Sequence, residues 1–208
     1  MALNIEALVV SPLQQNCYLL SCDQTQECIV VDAGDVGEKI WDYVQSKGLK
    51  IKWLVNTHAH VDHVSGVAAL KKLSGVPFLM HKNEEMILDM LLPSQGMYGF
   101  GDGLVPTIDE YLQEGQEYTF GQETFKVILT PGHTPGGVCL NFGDHIFVGD
   151  TLFNGSIGRS DLPGGNSEQL LQSIHSELMC LDPETKVYSG HGDPTTIGFE
   201  KQNNPFLV

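Results

Sequence analysis

Three imidazoles and a carboxylate fall within six residues, His58 to His63, in the stretch Thr57-His58-Ala59-His60-Val61-Asp62-His63. Neutral imidazole nitrogens and carboxylate oxygens are the donors that zinc, iron and manganese take in proteins. A lone histidine is more simply a surface residue or a satisfied core residue, but four such groups in six residues point to metal. His58 and His60 are two apart, so on an extended chain both face the same way. Asp62 and His63 follow where the chain must turn, which aims them at a neighbouring position. The spacing therefore suggests two metal ions rather than one.

Three further donors share one setting, at the end of an apolar run and beside glycine. They are His133 in Thr130-Pro131-Gly132-His133-Thr134, Asp150 in Gly149-Asp150-Thr151, and His191 in Gly190-His191-Gly192. Glycine lets the backbone turn tightly there with no side chain in the way. His81, His145 and His175 have no such setting and read as structural or exposed.

The elements that must carry these groups follow from periodicity. Ile5–Val10 and Asn16–Ser21 read as strands joined by a Ser-Pro turn. Cys28–Asp32 is a third strand, ending in Asp32-Ala33-Gly34. Asp35 and Glu38 have the spacing of a capping box for a helix through Ile40, Trp41 and Val44 that stops at Gly48. The strand Ile51–Asn56 delivers the histidine cluster, and Val64, Val67, Leu70 and Leu73 continue it as a helix. A short strand, Pro77–Met80, and a helix over about 83–92 come next. Residues 94–106, with four glycines and the aromatics Tyr98 and Phe100, fit either a mobile lid or a surface excursion packed on the body. Strands dominate afterwards: 118–120, 124–129, 137–142 and 145–148. A helix over 167–178 and a strand over 186–189 close the pattern. Sheets inside with helices outside would satisfy this order, as an α/β protein of one domain over residues 1–208.

Taken in order, Thr-His-x-His-x-Asp-His, Gly-His-Thr, Gly-Asp-Thr and a late Gly-His resemble the signature of the metallo-β-lactamase fold superfamily, over nearly the whole chain from the Asn16 strand to Gly192. The resemblance implies an αβ/βα sandwich with a dinuclear site at one edge. It assigns His58, His60 and His133 to a first metal, Asp62, His63 and His191 to a second, and Asp150 between the two with a hydroxide. Asp62 and Asp150 are then the candidate catalytic carboxylates. Asp32 matches the family's strand-end Asp-x-Gly and is a candidate to orient a ligand imidazole; its plainer reading is a turn residue ahead of Gly34.

Within that superfamily, Gly149-Asp150-Thr151-Leu152-Phe153, Gly158-Arg159-Ser160-Asp161 and the ending Asn204-Pro205-Phe206-Leu207 look like short relatives of glyoxalase II, which hydrolyses S-acylglutathione thioesters such as S-lactoylglutathione. The resemblance implies two divalent ions, zinc first, with iron or manganese as alternatives, and a small-molecule acyl thioester as substrate. The family's basic C-terminal helical domain has no counterpart after His191, and its Lys and Tyr after the bridging Asp motif are replaced around Arg159 and Asp161. A thioester suits the site because a metal-activated hydroxide is a nucleophile at neutral pH and a thiolate leaves without a proton. Arg159 is a candidate to hold a substrate carboxylate bidentately. The alternatives are a persulfide dioxygenase with one Fe(II) on His58, His133 and Asp150, a lactone hydrolase, and a non-catalytic module of the same fold.

Composition excludes other classes. The formal net charge is −15 with 11 Lys+Arg, and no cationic cluster is present to neutralise the phosphates of nucleic acid or an anionic membrane. No apolar run is long enough to span a bilayer, and the first residues carry no leader pattern, so a cytoplasmic protein is expected. Five cysteines, an odd number with no Cys-x-x-Cys, argue against a disulfide framework and a zinc knuckle.

Overall fold

The unbroken apolar runs of the chain form strands whose successive side chains enter two different cores. The computed structural model describes residues 3–208. The first half runs β1 (Leu3–Val10), β2 (Gln15–Cys22), β3 (Glu27–Val31), α1 (Gly37–Ser46), β4 (Lys50–Val55), α2 (Val61–Val64), α3 (Val67–Ser74), β5 (Phe78–His81), a 3-10 turn (Lys82–Glu84), α4 (Glu85–Leu88), α5 (Leu91–Tyr98) and β6 (Glu110–Leu112). The second half runs β7 (Glu117–Phe120), β8 (Glu123–Leu129), β9 (Val138–Asn141), β10 (His145–Gly149), β11 (Leu152–Phe153), β12 (Ser156–Ile157), α6 (Ser167–Ser173), β13 (Lys186–Ser189), β14 (Thr195–Thr196) and α7 (Ile197–Asn203). A wider helical turn, Ile174–Leu178, continues α6.

Two six-stranded sheets result, β1-β2-β3-β4-β5-β6 and β14-β13-β10-β9-β8-β7. Tyr18, Leu20, Val31, Val55 and Leu79 of the first sheet meet Phe125, Val127, Leu140 and Phe147 of the second. Their chain neighbours Leu19, Val30, Leu54 and Met80 point the other way, onto Ile40 and Val44 of α1 and Val67 and Leu70 of α3. Ile146, Val148 and Val187 likewise face Leu170, Ile174 and Ile197. Strands buried on both faces need continuous apolar runs, as Ile29-Val30-Val31 and Ile146-Phe147-Val148 supply. The layers are helix, sheet, sheet, helix: the αβ/βα sandwich expected from sequence.

Some local expectations fail for identifiable reasons. α1 has no Asp35 cap; it starts after Val36, which holds a left-handed φ of 48°. Gly37 is pressed onto the turn before α3, where an added Cβ would lie 2.2 Å from the Gly66 carbonyl oxygen. That packing, not a side-chain cap, sets the helix start. The helix after the histidine cluster is two helices, broken at Ser65–Gly66, where the Gly66 N–H donates to the Ala33 carbonyl at 2.9 Å. The helix over 83–92 is likewise divided, and the start of the unassigned 94–106 stretch, through Tyr98, belongs to helix α5. Pro93 is tolerated there because it sits in the first turn, where backbone N–H groups have no helical partner. Gly99 ends α5 at a left-handed φ of 73°. Cys17, Cys22, Cys28 and Cys139 are buried and unpaired, and Cys180 is exposed. No helix among the described residues is long and apolar enough to cross a membrane.

Candidate metal centre

β3 and β4 run parallel in one sheet, and β10 and β13 run parallel in the other. Their C-terminal ends, with that of β8, open on one edge of the sandwich. β4 delivers His58 and His60, and its continuation into α2 delivers Asp62 and His63. β8 delivers His133, β10 delivers Asp150 and β13 delivers His191. Backbone bonds pin the two edges together. The Val138 N–H donates to the Thr57 carbonyl at 3.0 Å, and the Asn16 N–H to the Gly190 carbonyl at 2.7 Å. The Tyr18 hydroxyl, reaching out of the first sheet, donates to the Ser189 carbonyl at 2.7 Å.

Six of the seven donors form two trios. In the first, His133 Nε2 lies 2.8 Å from His60 Nδ1 and 3.2 Å from His58 Nε2. In the second, Asp62 Oδ2 lies 3.0 Å from His191 Nε2 and 3.9 Å from His63 Nε2. Each trio's donor atoms lie within 4.8 Å of one another. Asp150 stands between them. Its Oδ1 is 3.3 Å from His63 Nε2, and its Oδ2 is 3.7 Å from both His133 Nε2 and His191 Nε2. All seven residues picked from the sequence are thus brought together at one edge, and Asp32, His58 and His63 form a further close group that cuts across the two trios.

Groups behind His58, His63 and His133 fix which nitrogen of each of these rings is bare. His133 Nδ1 lies 2.7 Å from the Arg159 carbonyl oxygen, which can only accept, so Nδ1 carries the proton and Nε2 is free. His63 Nδ1 is 2.9 Å from Asp32 Oδ2, with the same consequence. The Thr57 hydroxyl donates to Asp32 Oδ2 at 2.6 Å, which leaves its lone pair to accept from His58 Nδ1 at 3.1 Å. Asp32 Oδ1 also accepts the Thr57 N–H at 2.7 Å. One buried carboxylate therefore orients an imidazole in each trio, directly for His63 and through Thr57 for His58. Asp32 reaches this place by a left-handed turn at φ 55°. Gly34 follows where a Cβ would lie 1.7 Å from the Asp62 carbonyl oxygen, which is why this turn needs Asp-x-Gly.

Electrostatics separates the donors. Burial, then the neighbouring His63 and His133, pushes His58 well below the ordinary imidazole range. Burial and His133 push His60 down to about 3, and burial also lowers His133. For His63, burial opposes the charged form, but Asp150, Asp62 and Asp32 outweigh it and raise its pKa well above the usual value. His191 is raised too: burial again opposes the charge, and the bond to Asp62 and the nearby Asp150 prevail. Burial alone would raise the carboxyls of Asp62 and Asp150, but the surrounding histidines pull both below the usual range.

The donor set fits divalent cations. His63 Nε2 and Asp150 Oδ1 are buried without hydrogen-bond partners. With the His63 Nδ1 proton already held by Asp32, the two atoms face each other as acceptors in a dry site. Only a positive charge between them, a proton or a metal ion, relieves that contact. Imidazole and carboxylate donors in threes, with the second nitrogens of His58, His63 and His133 anchored, are the arrangement such ions take.

Two contributors had no local signal in the sequence. Glu84 is fully buried; its carboxylate accepts the Ala59 N–H at 2.8 Å and the Gly136 N–H at 2.7 Å. It thereby ties the 58–60 turn to the loop that carries His133. The other is the Arg159 carbonyl, a backbone atom that sequence cannot single out. The Arg159 side chain lines the adjoining cavity, but its Nε and Nη2 are both bonded to Asp161, each at 2.8 Å. The fork expected to hold a substrate carboxylate is closed on a neighbour. His81, His145 and His175 stand away from the centre. His81 accepts the Asn83 N–H, His145 pairs with the Tyr188 hydroxyl, and His175 is exposed.

The fold and this edge of clustered donors define a class, and sequence comparison agrees. Residues 10–191 match the family model of the metallo-beta-lactamase superfamily, and the chain belongs to that superfamily. It is similar to the "Probable metallo-hydrolase YqgX" of Bacillus subtilis, at 37% identity over 95% of this chain and 94% of that one. It is equally similar, at 37%, to the "Hydroxyacylglutathione hydrolase GloC" of Haemophilus influenzae, over 99% and 98%. Among solved structures it superposes on BLEG-1 B3 metallo-beta-lactamase with a TM-score of 0.91, at 36% identity over 99% of this chain and all of the other. TTHA1623, solved in a di-iron-bound form, gives 0.88, at 36% identity over 97% and 100%.

Proposed function

We propose that this chain is a hydrolase of acyl thioesters that works with two divalent metal ions. His58, His60 and His133 would hold one ion, Asp62, His63 and His191 the other, and Asp150 would touch both. The observation that carries the reading is the position of Asp150, whose two oxygens face histidines of both trios. Metal ions in such a site lower the pKa of a bound water to about 7 and polarise a carbonyl.

The chain's own residues supply the rest. Asp32, Thr57 and the Arg159 carbonyl hold the imidazoles in the tautomer that presents a lone pair. Asp62, kept ionised by its histidine neighbours, is an acceptor for a water proton through the carboxylate oxygen that does not hold the ion. The cavity beside the trios receives the acyl group. As the oxygen–carbon bond forms and the C–S bond breaks, the sulfur leaves with its electron pair as a thiolate and needs no acid. The resemblance to GloC supports thioesters over lactams, whose nitrogen must be protonated as it leaves. A lactone remains within reach of the same chemistry.

The second reading is an iron-dependent persulfide dioxygenase using His58, His133 and Asp150. The similarity to a di-iron-bound structure supports iron as a candidate metal. The fully buried His63, anchored by Asp32, supports use of the second trio and hence hydrolysis. The test is metal analysis of purified protein beside assays with S-lactoylglutathione, a small neutral thioester, and glutathione persulfide under oxygen monitoring. About two ions per chain with thioester cleavage is expected. One iron, with oxygen uptake and no thioester cleavage, would replace hydrolysis by oxygenation.

A further inference from the structure

The donor trios open on a cavity of ≈ 860 Å³, in the range that encloses a small-molecule ligand. Leu13, Met90, Leu91, Met97, Ile157 and Leu162 are among the residues that line it. Helix α5, which supplies Leu91 and Met97, is apolar on more than its core face. Leu91 is 1% exposed in the core, while Met97 is 81% exposed and Tyr98 46%. A helix apolar on several faces is ordinarily covered, and here the uncovered face borders the cavity. Away from the trios, whose charge the proposed ions would offset, the one lining side-chain cation besides histidine, Arg159, is paired with Asp161. The chain as a whole carries a net charge of −15.

From this wall we infer that the substrates are uncharged thioesters with an apolar chain, not thioesters of glutathione, whose two carboxylates would meet no unpaired Lys or Arg in this cavity. The inference rests on the hydrolase reading and deepens it. The chain lies along Met97, Tyr98 and Leu162, covering side chains that otherwise stay wholly or partly in water. The reacting carbonyl stays at the trios.

The test uses metal-loaded protein and N-acetylcysteamine thioesters of acetyl, butyryl, hexanoyl and octanoyl groups, with S-lactoylglutathione alongside. kcat/KM rises roughly two- to fourfold per added methylene until the cavity is filled, as burial of each CH₂ requires, and S-lactoylglutathione falls below the hexanoyl compound. Met97→Asp, at an exposed position, lowers the hexanoyl-to-acetyl ratio. In parallel, calorimetry measures binding of the uncleavable ethyl and hexyl thioethers of N-acetylcysteamine, and of S-hexylglutathione. Tighter binding of the neutral hexyl compound than of both others supports the inference even if no thioester is cleaved, an outcome that would sink the hydrolase reading alone. Cleavage with a flat chain-length profile, or with S-lactoylglutathione preferred, overturns the inference and leaves hydrolysis standing. Absence of both cleavage and chain-dependent binding overturns both.

Discussion

Asp32→Asn removes one charge and exchanges one acceptor oxygen for an NH₂, yet it should weaken metal binding in both trios. Asp32 Oδ1 accepts the Thr57 N–H at 2.7 Å, and Oδ2 accepts from the Thr57 hydroxyl at 2.6 Å and His63 Nδ1 at 2.9 Å. An asparagine keeping its oxygen toward the Thr57 amide turns its NH₂ toward the other two. His63 Nδ1 then accepts instead of donating, which moves the ring proton to Nε2. The Thr57 oxygen likewise accepts from the amide and turns its own hydrogen to His58 Nδ1, with the same result for that ring. The opposite amide orientation leaves the Thr57 N–H facing a donor while buried, at about 1–3 kcal/mol. Disturbing a group that orients a metal-binding histidine costs roughly 10–100-fold in affinity, or about 1.4–2.8 kcal/mol. Because His58 and His63 belong to different trios, both steps of a zinc titration against a competing chelator should shift by that amount. Thr57→Val keeps Asp32 on His63 and removes only the hydroxyl, so it should weaken one step. Unchanged titration of Asp32→Asn, a shift in only one step, or equal damage to both steps from Thr57→Val would each refute the two-branched role of Asp32.

Gly190→Ala should deplete metal and activity, because its Cβ would lie 2.2 Å from Asp150 Oδ1 and 2.5 Å from His63 Cε1; inductively coupled plasma analysis of the purified variant reads this out, and wild-type metal content would contradict it. Glu84→Gln should destabilise the protein by about 1–3 kcal/mol, since one of the two N–H groups that Glu84 accepts is left facing an NH₂, as urea denaturation of the metal-free protein would show; an unchanged midpoint would mean that the loops do not depend on it. The metal-free protein should also show a stability maximum near pH ~6.5. Below it, His58, His60 and His133 resist protons that the unfolded chain binds, so stability falls with falling pH. Above it, the raised His63 and His191 lose stabilising protons as pH climbs through their folded values, so stability falls again. Thermal melts of metal-free protein between pH 5 and 8 at fixed salt check this, and a monotonic rise across that range would contradict it.

The donors were legible in the sequence because their chemistry is rare in combination and each stands at a strand end beside glycine or within the 57–63 cluster. The layers were legible because strands buried on both faces must be apolar at every position, as Ile29-Val30-Val31 is. What the sequence hid depends on distance or on backbone. Glu84 joins residues 25 and 52 positions away, so nothing near it in the chain marks its role. The Arg159 carbonyl has no residue-type signature, and the same residue's side chain, which drew attention, is occupied by Asp161. Helix α5 was obscured by Pro93, Gly96 and Gly99. The first is harmless in an opening turn and the last closes the helix. The apparent capping box at Asp35 had the right spacing, but a close glycine contact with the α3 turn decided where α1 begins.

The seven donors are divided between the two sheets so that neither holds a full set. His58, His60, Asp62 and His63 come from the first half, and His133, Asp150 and His191 from the second. Each trio therefore closes only across the seam. An ion held by either trio would tie the two sheets together like a rivet through two plates, and losing it would loosen the seam rather than either sheet alone.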